Sequence, residues 1–377
     1  MLDQELSLFH DTAPFFAITE LQCPLPAPEV LWMAANSEQW VHAMQSVYGC
    51  SPNISPELLG TPSITPSLYD LFQDFLQDNL SRRSPTLSAQ RLRLILHPLQ
   101  ALLFHLRQML SCFSDSHNGR RTSTRTVTKA STLLRLEEVQ SLLQKWYGLT
   151  MDYSKDHPGC PVTCCNLVLY HLIALNAVTD FPEVERLARR EGLDGAGSCW
   201  ELSLRYKRCI FQREDAIFHC GQVFRLLRQM PNNRRPAWWA AAMYRPTLIL
   251  WADSVCRLDP NFQAGDNVKR DTDASGPRRA TTPVVIDQVS PEDPALVPYI
   301  WNGDAMPTLS HLDGTTMKLD NPADILAYAI RNIESGFSSR IGDGIKRKLV
   351  QLGKNWAHMD QAMGMPSVTA SPGLASS

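Results

Sequence analysis

Residues 89–113 limit the folds open to this chain more than any other segment, because apolar side chains cover almost every side of a helix there. The spacing of these side chains fits the 3.6-residue helical period. A helix that is apolar on so many sides is predicted to lie at the centre of a core. Pro98 is predicted to kink or split it. The apolar positions are Leu92, Leu94, Ile95, Leu96, Leu99, Leu102, Leu103, Leu106, Met109 and Leu110.

Helical spacing recurs along most of the remaining chain. Convincing alternation of the kind typical of a strand is absent, and so is an internal repeat. The sequence therefore predicts an all-α fold, an irregular multi-helix bundle with a disordered linker and tail. The Trp-rich segment 236–258 is expected in the core, with a kink at Pro246. Helices are predicted near residues 29–47, 66–80, 133–147, 162–178, 198–229, 236–258, 321–334 and 338–358.

Prolines and small polar residues organise the beginning of the chain. Residues 25–28 (LPAP) are predicted to be extended, because each proline disfavours a helix at the residue before it. Ser37 is expected to cap a short helix that has Glu38 in its first turn. The next helix is predicted to begin at Pro66, after a loop rich in proline and serine.

Composition divides the chain into four regions. Residues 1–258 are predicted to form one helical domain, and residues 295–360 a C-terminal helical segment. Between them, residues 259–294 alternate charged residues with glycine, threonine and proline, and so lack the apolar mass needed to fold. Residues 361–377 are rich in serine, alanine and proline, and a disordered tail is predicted there.

The charge balance argues against a protein that coats nucleic acid. The chain of 377 residues has 36 Lys and Arg against 38 Asp and Glu, a formal net charge of −2. Phosphate binding needs clustered positive charge, and no such cluster dominates the sequence. The pairs Lys269-Arg270 and Arg278-Arg279 loosely resemble a two-part nuclear import signal.

Ten cysteines are scattered at irregular spacing, and the start of the chain is acidic where a secretory signal would be basic. Reduced thiols in the cytosol or nucleus are therefore expected. The densest group, Cys160, Cys164 and Cys165, lies between His157 and His171. It lacks the paired histidine of a C2H2 finger. We therefore predict that Cys164, Cys165 and His171 are core residues of one apolar helix rather than part of a metal site.

Sequence motifs for catalysis are also missing. We find no glycine-rich phosphate loop, no G-x-S-x-G elbow and no H-E-x-x-H, and the D-D-x-x-D of all-α terpenoid enzymes is absent as well. His97, His105 and His171 lie in apolar helical patterns, where a hydrogen-bonded core histidine is expected. We therefore predict a non-enzyme with no catalytic, cofactor-binding or metal-binding residue in this chain.

One stretch carries a specific resemblance. The segments 2–12 (LDQELSLFHDT), 16–21 (FAITEL), 24–26 (PLP), Leu31-Trp32 and 38–40 (EQW) resemble the middle of the fungal-specific transcription factor domain. This is the regulatory region that follows the zinc finger in regulators of filamentous fungi. The resemblance is strong over residues 1–45, diffuse over residues 46–258, and closest to members whose finger is of the C2H2 type.

The resemblance implies a helical regulatory domain, a role in transcription regulation and a nuclear location. In that family the zinc finger and the first part of the domain precede the segment seen here, so the chain would begin inside the domain. Zinc and DNA are then expected to bind the missing N-terminal finger, not this chain alone. The implied partners are the transcription machinery or homo- or heterodimer partners, with no membrane.

Two roles remain open for such a chain. The first is regulation in which an effector or partner shifts a conformational balance. The alternative is a non-DNA-binding interaction scaffold or dimerisation partner of full-length regulators.

Overall fold

The computed structural model describes residues 1–48, 66–80, 87–114, 125–191, 206–257, 283–291, 293–294, 296, 299, 306–311 and 313–362. Helix dominates these residues, with only a small three-stranded sheet among them. This confirms the predicted all-α fold class. The chain divides into two compact units, Met1–Asn166 and Leu167–Ser377, called here the N-terminal and C-terminal units. The predicted domain limits at residues 258, 294 and 360 stay predictions.

The N-terminal unit is built around the apolar helix predicted from the sequence. This helix packs against the helix over residues 125–156 and against the helix over residues 68–76. Leu92, Ile95, Leu96 and Leu99 are fully buried, and Pro98 does not split the helix. The helices are α1 (Leu2–His10), α2 (Glu29–Trp32), α3 (Ser37–Tyr48), α4 (Leu68–Leu76), α5 (Ala89–Ser114) and α6 (Arg125–Asp156).

Side-chain caps set the starts of α3 and α4. Asn36 Oδ1 accepts the N–H of Gln39 at 2.9 Å, so Asn36, rather than the predicted Ser37, caps α3. Ser67 Oγ accepts the N–H of Asp70 at 3.1 Å, and Asp70 Oδ2 accepts the Ser67 N–H at 2.9 Å. Each cap satisfies an N–H that has no partner inside the helix, so α4 begins at Leu68 and not at Pro66.

The next helix, α7 (Pro161–Val178), is long and apolar enough by length and composition to cross a membrane. It is instead 67% buried within the protein, as the core helix of a folded domain is. Asn166 is fully buried and its Nδ2 donates to the Ala89 carbonyl at 2.7 Å. The predicted buried helix is confirmed and His171 lies in the core, whereas Cys164 and Cys165 are only half-buried.

The helices after α7 are α8 (Phe181–Ala188), α9 (Arg213–Gln229), α10 (Trp239–Arg257), α11 (Pro322–Glu334) and α12 (Arg340–Ala362). The central one, α10, organises the C-terminal unit and packs against α8, α9, α11 and α12. Trp239 and Trp251 are buried, as predicted, and the Trp251 ring meets the edge of Trp356 at a centroid distance of 5.1 Å.

The segment before α9 differs from its predicted form. The sequence predicts one helix over residues 198–229, but α9 begins at Arg213. Ile210 forms a β-bridge with Thr179, and the Phe211 N–H donates to the Val178 carbonyl at 2.9 Å. These contacts with the end of α7 hold the backbone extended, which breaks the helix that the apolar spacing favours. Residues 198–205 lie outside the described residues.

The small sheet was not predicted. Strand β1 (Pro283–Val285) pairs in parallel with β2 (Met306–Ser310), which pairs antiparallel with β3 (Thr316–Lys318). The first strand lies inside the segment predicted as a polar linker, where Val284 and Ile286 are buried. A strand of three residues is too short to show alternation. The predicted linker residues 259–282 lie outside the described residues.

The backbone after β1 lies directly against α9. A Cβ on Gly221 would come within 2.4 Å of the Ile286 carbonyl oxygen, so only glycine allows this approach. Gln222 Nε2 donates to the carbonyls of Val289 at 2.8 Å and Ile286 at 3.3 Å. Asp287 pairs with Arg228 of α9 and accepts the Ser310 N–H at 2.9 Å. These contacts attach the sheet to the helices.

Replacing Gly221 with alanine tests this close approach. Gly221→Ala is expected to lower the free energy of unfolding by about 1–3 kcal/mol, because the added methyl group meets backbone that must move. The matched control is Gly344→Ala in α12, where nothing lies within 4 Å and a stabilisation of up to about 1 kcal/mol is expected. Denaturant unfolding measures both. Equal effects of the two substitutions would contradict the close contact.

Candidate functional site

The buried charged residues of the C-terminal unit form internal pairs. Asp253 Oδ1 accepts from Tyr206 Oη at 2.8 Å and from Arg213 Nε at 2.7 Å, and its Oδ2 accepts from Arg213 Nη2 at 3.1 Å. Burial opposes ionisation of Asp253, but Arg213 lowers the pKa of this carboxyl below its ordinary value. Both carboxylate oxygens are thus engaged within the fold, as in a structural ion pair.

Two histidines in contact with each other form a second polar pair. The Nδ1 atoms of His171 on α7 and His219 on α9 lie 2.9 Å apart. Burial lowers the pKa of His171 well below its ordinary value and that of His219 to about 4. Both rings are therefore neutral at pH 7, and one donates to the other. For His171, the prediction of a hydrogen-bonded core histidine is confirmed.

The described residues contain no group of three or more His, Cys, Asp or Glu side chains that could hold a metal ion. His157, one of the histidines beside the cysteine cluster, stacks on Tyr153 with ring centroids 4.2 Å apart. Burial raises the pKa of the Cys165 thiol to about 11, which disfavours the thiolate that binds zinc. His105, predicted as a core residue, is exposed.

The start of the chain is attached to α5 by polar contacts. Asp3 Oδ2 lies 2.8 Å from His97 Nε2, while Asp3 Oδ1 accepts the Phe15 N–H at 2.8 Å. Glu5 pairs with Arg93. Gln100 Nε2 donates to the Gln4 carbonyl and to a serine hydroxyl of α1, each at 3.1 Å. His97 is a hydrogen-bonded core residue, as predicted, but the sequence did not identify its partner.

The proline-rich stretch after this loop runs beside the start of α4. Pro24 forms a β-bridge with Ser67, and the Leu25 N–H donates to the Pro66 carbonyl at 3.1 Å. The Tyr69 N–H donates to the Leu21 carbonyl at 3.0 Å. Main-chain hydrogen bonds therefore hold residues 21–25 in position.

On this fixed backbone, many large apolar side chains face solvent. Phe15 is 88% exposed, Trp32 74% and Met33 75%, whereas Leu31 between them on α2 is buried. We call the following residues the N-terminal apolar surface: Phe15, Phe16, Val30, Trp32, Met33, Trp40 and Val41.

The apolar surface stands out from the rest of the described chain. Of 18 exposed large apolar residues among the described positions, 10 lie in the first 41 residues. Single exposed apolar residues need no explanation, but a dense group of them marks an interaction site. Tryptophan and phenylalanine also supply much of the binding energy at protein interfaces. This surface is the candidate functional site. Sequence spacing alone could not identify it, because the same apolar residues would suit a core.

Curated relatives connect this fold to a biological role. The chain is 42% identical to Transcription factor 1 of Elsinoe fawcettii over 93% of its length and 42% identical to Transcription factor PfmaH of Pestalotiopsis fici over 94%. It is also 40% identical to a transcription factor of Zymoseptoria tritici over 94% of its length. The alignments cover 34%, 35% and 36% of these relatives, so the chain spans about a third of their length.

The chain is therefore similar, over most of its length, to proteins named as fungal transcription factors. No protein-family model matches it. No solved structure matches it either.

Asp3→Ala tests the attachment of the N-terminal segment. It is expected to lower the free energy of unfolding by about 1–3 kcal/mol, because the His97 and Phe15 partners lose their acceptor. Burial opposes ionisation, but the hydrogen bonds from His97, Phe15 and Phe16 lower the pKa of Asp3. The stability difference between wild type and variant should thus be complete above the unfolded pKa of about 3.9 and disappear as pH falls through the lower folded value.

The control for Asp3 is Asp152→Ala, which removes an exposed partner of Lys155. Its effect is expected to stay within about 0.5 kcal/mol. Hydrogen exchange at the Phe15 amide is a second measurement, and it should be faster in Asp3→Ala only. Unchanged exchange at Phe15 would exclude Asp3 as its anchor.

The pair of His171 and His219 predicts that the folded protein loses stability in acid, independently of Asp3. Because burial lowers both pKa values, the unfolded chain binds protons that the folded chain does not, and stability should fall as pH drops from about 6.5 towards 4. Each histidine that titrates only when unfolded contributes a slope of up to about 1.4 kcal/mol per pH unit. His219→Phe should flatten this slope in denaturant titrations at several pH values. An unchanged slope would contradict neutral burial.

Proposed function

We propose that the chain is the helical regulatory region of a fungal zinc-finger-type transcription factor and acts in the nucleus. The observation that carries this proposal is the identity of 40–42% over almost the whole chain to proteins named transcription factors. The all-α fold and the residues 2–40 that resemble the fungal-specific transcription factor domain support the finer family assignment.

In this proposal DNA is recognised by a zinc finger elsewhere in the full protein. A net charge of −2 gives the chain no general attraction for phosphates. The chain would then contribute protein contacts rather than base contacts.

The N-terminal apolar surface is the part best suited to such contacts. Its aromatic side chains are exposed, while Asp3 holds the backbone at Phe15 and main-chain bonds to α4 hold residues 21–25. A surface that needs no folding on binding loses less conformational entropy when a partner docks. The transcription machinery or a second regulator would dock there.

A tethering experiment tests the proposal. The chain, fused to an unrelated DNA-binding domain, is expected to raise or lower expression of a reporter with the matching operator in a filamentous fungus. The DNA-binding domain alone is the control. In a gel-shift assay the purified chain without the fusion is expected to bind DNA weakly and without sequence preference. Tight sequence-specific binding by the chain alone, or an unaltered reporter, would reject the proposal.

A second candidate is a dimerisation partner of full-length regulators, favoured by the same exposed apolar residues. Light scattering of the purified chain separates the two roles. A dimer that is lost in Trp32→Ser would support this candidate, and a strict monomer would exclude self-association.

A further inference from the structure

Charge is distributed very unevenly along the sequence. Residues 1–81 contain ten Asp and Glu and not one Lys or Arg, whereas residues 82–377 contain 28 acidic and 36 basic residues, a net charge of +8. The overall value of −2 hides this asymmetry. The N-terminal apolar surface therefore lies in the acidic part of the chain.

Part of this negative charge is paired with basic side chains and part is not. Glu5 pairs with Arg93 on α5 and Asp78 with Lys145 on α6, and Asp3 is hydrogen-bonded to His97 on α5. Glu20, Glu29 and Glu38 are exposed, and no described residue forms an ion pair with them. We call these three residues the acidic rim.

The acidic rim follows the N-terminal apolar surface along the chain. Glu29 precedes Val30 and Trp32 on α2, and Glu38 precedes Trp40 and Val41 on α3. The helices α2 and α3 also pack against each other. Exposed carboxylates and exposed aromatic rings are thus presented by the same two helices.

We propose that the N-terminal apolar surface and its acidic rim dock a basic protein segment that carries apolar anchor side chains. The apolar anchors bury Trp32 and Trp40 on α2 and α3, and Lys or Arg side chains of the partner pair with Glu29 and Glu38 on the same two helices. The inference rests on the proposed function and names the chemistry of its partner. Electrostatic complementarity of this kind selects partners and speeds their encounter.

Three other occupants are disfavoured by the same charges. Nucleic acid and anionic lipid are both negative, and they would be repelled by a region without a single Lys or Arg. The same surface of a second copy would bring like charges together. A basic protein segment is the occupant that satisfies both the apolar and the charged groups.

The test uses two synthetic peptides of about 20 residues with one apolar face of Leu and Trp. One peptide carries Lys and Arg on its polar face and the other carries Glu. Binding to the whole chain is measured by fluorescence anisotropy of the labelled peptide at low salt. The basic peptide is expected to bind at least about tenfold more tightly than the acidic one, and added salt should weaken it.

Two variants separate the apolar and charged contributions. Trp32 is exposed, so Trp32→Ser leaves the core intact. This variant should bind the basic peptide about tenfold or more weakly than wild type. The double variant Glu29→Gln, Glu38→Gln should also bind the basic peptide more weakly, and this binding should depend less on salt. Matched controls are Val350→Ser on α12 and Glu137→Gln on α6, both exposed and expected to have no effect.

The proposal is overturned if the acidic peptide binds equally well, or if Trp32→Ser or the double variant binds the basic peptide as tightly as wild type. It is also overturned if wild type is a dimer that Trp32→Ser dissociates, since a second copy then occupies the surface. The tethered reporter distinguishes failure of the docking surface from failure of the proposed function. A fusion that still regulates with Trp32→Ser rejects the docking surface alone, whereas an inactive wild-type fusion rejects the proposed function.

Discussion

Polar contacts with α5 hold the start of the chain, and Asp3 extends them to the loop after α1. Asp3 accepts hydrogen bonds from the Phe15 and Phe16 amides and contacts His97 of α5. It acts beside the pair of Glu5 with Arg93 and the hydrogen bond from Gln100 to the Gln4 carbonyl, which join α1 to α5 directly. Because a donor that loses its acceptor is costly to bury, the backbone position of Phe15 and Phe16 depends on this carboxylate.

Much of the helical framework could be predicted from the sequence, because helices depend on residues close together in the chain. In α5, α7 and α10 the apolar residues recur three and four positions apart, which predicts a helix with an apolar face. Trp239 and Trp251 lie on such a face and are buried. Contacts between residues far apart in the chain produce no pattern in the sequence, and Asp3 and His97 are 94 positions apart. The strand β1 has only three residues, and its burial depends on the space that Gly221 provides.

Exposure was the property hardest to predict at the candidate site. The apolar residues of α2 and α3 have the composition of a core helix, yet only Leu31 and Ala43 of this segment are buried. Spacing identifies which residues share a face, but it does not say whether anything covers that face. The charge asymmetry does not settle exposure either, since α4 lies in the same segment devoid of Lys and Arg and buries Phe72 and Phe75.

The contact between His171 and His219 has a consequence for the direction of polarity inside the C-terminal unit. A neutral imidazole carries one proton, so the ring that donates through Nδ1 has a bare Nε2. The ring that accepts at Nδ1 must then carry its proton on Nε2. The pair thus presents an acceptor at one end and a donor at the other, and it has a mirror arrangement in which both tautomers are exchanged. The two rings thus form a dipole whose sign reverses only when both tautomers are exchanged, because moving the shared hydrogen alone would leave one ring with two protons and the other with none.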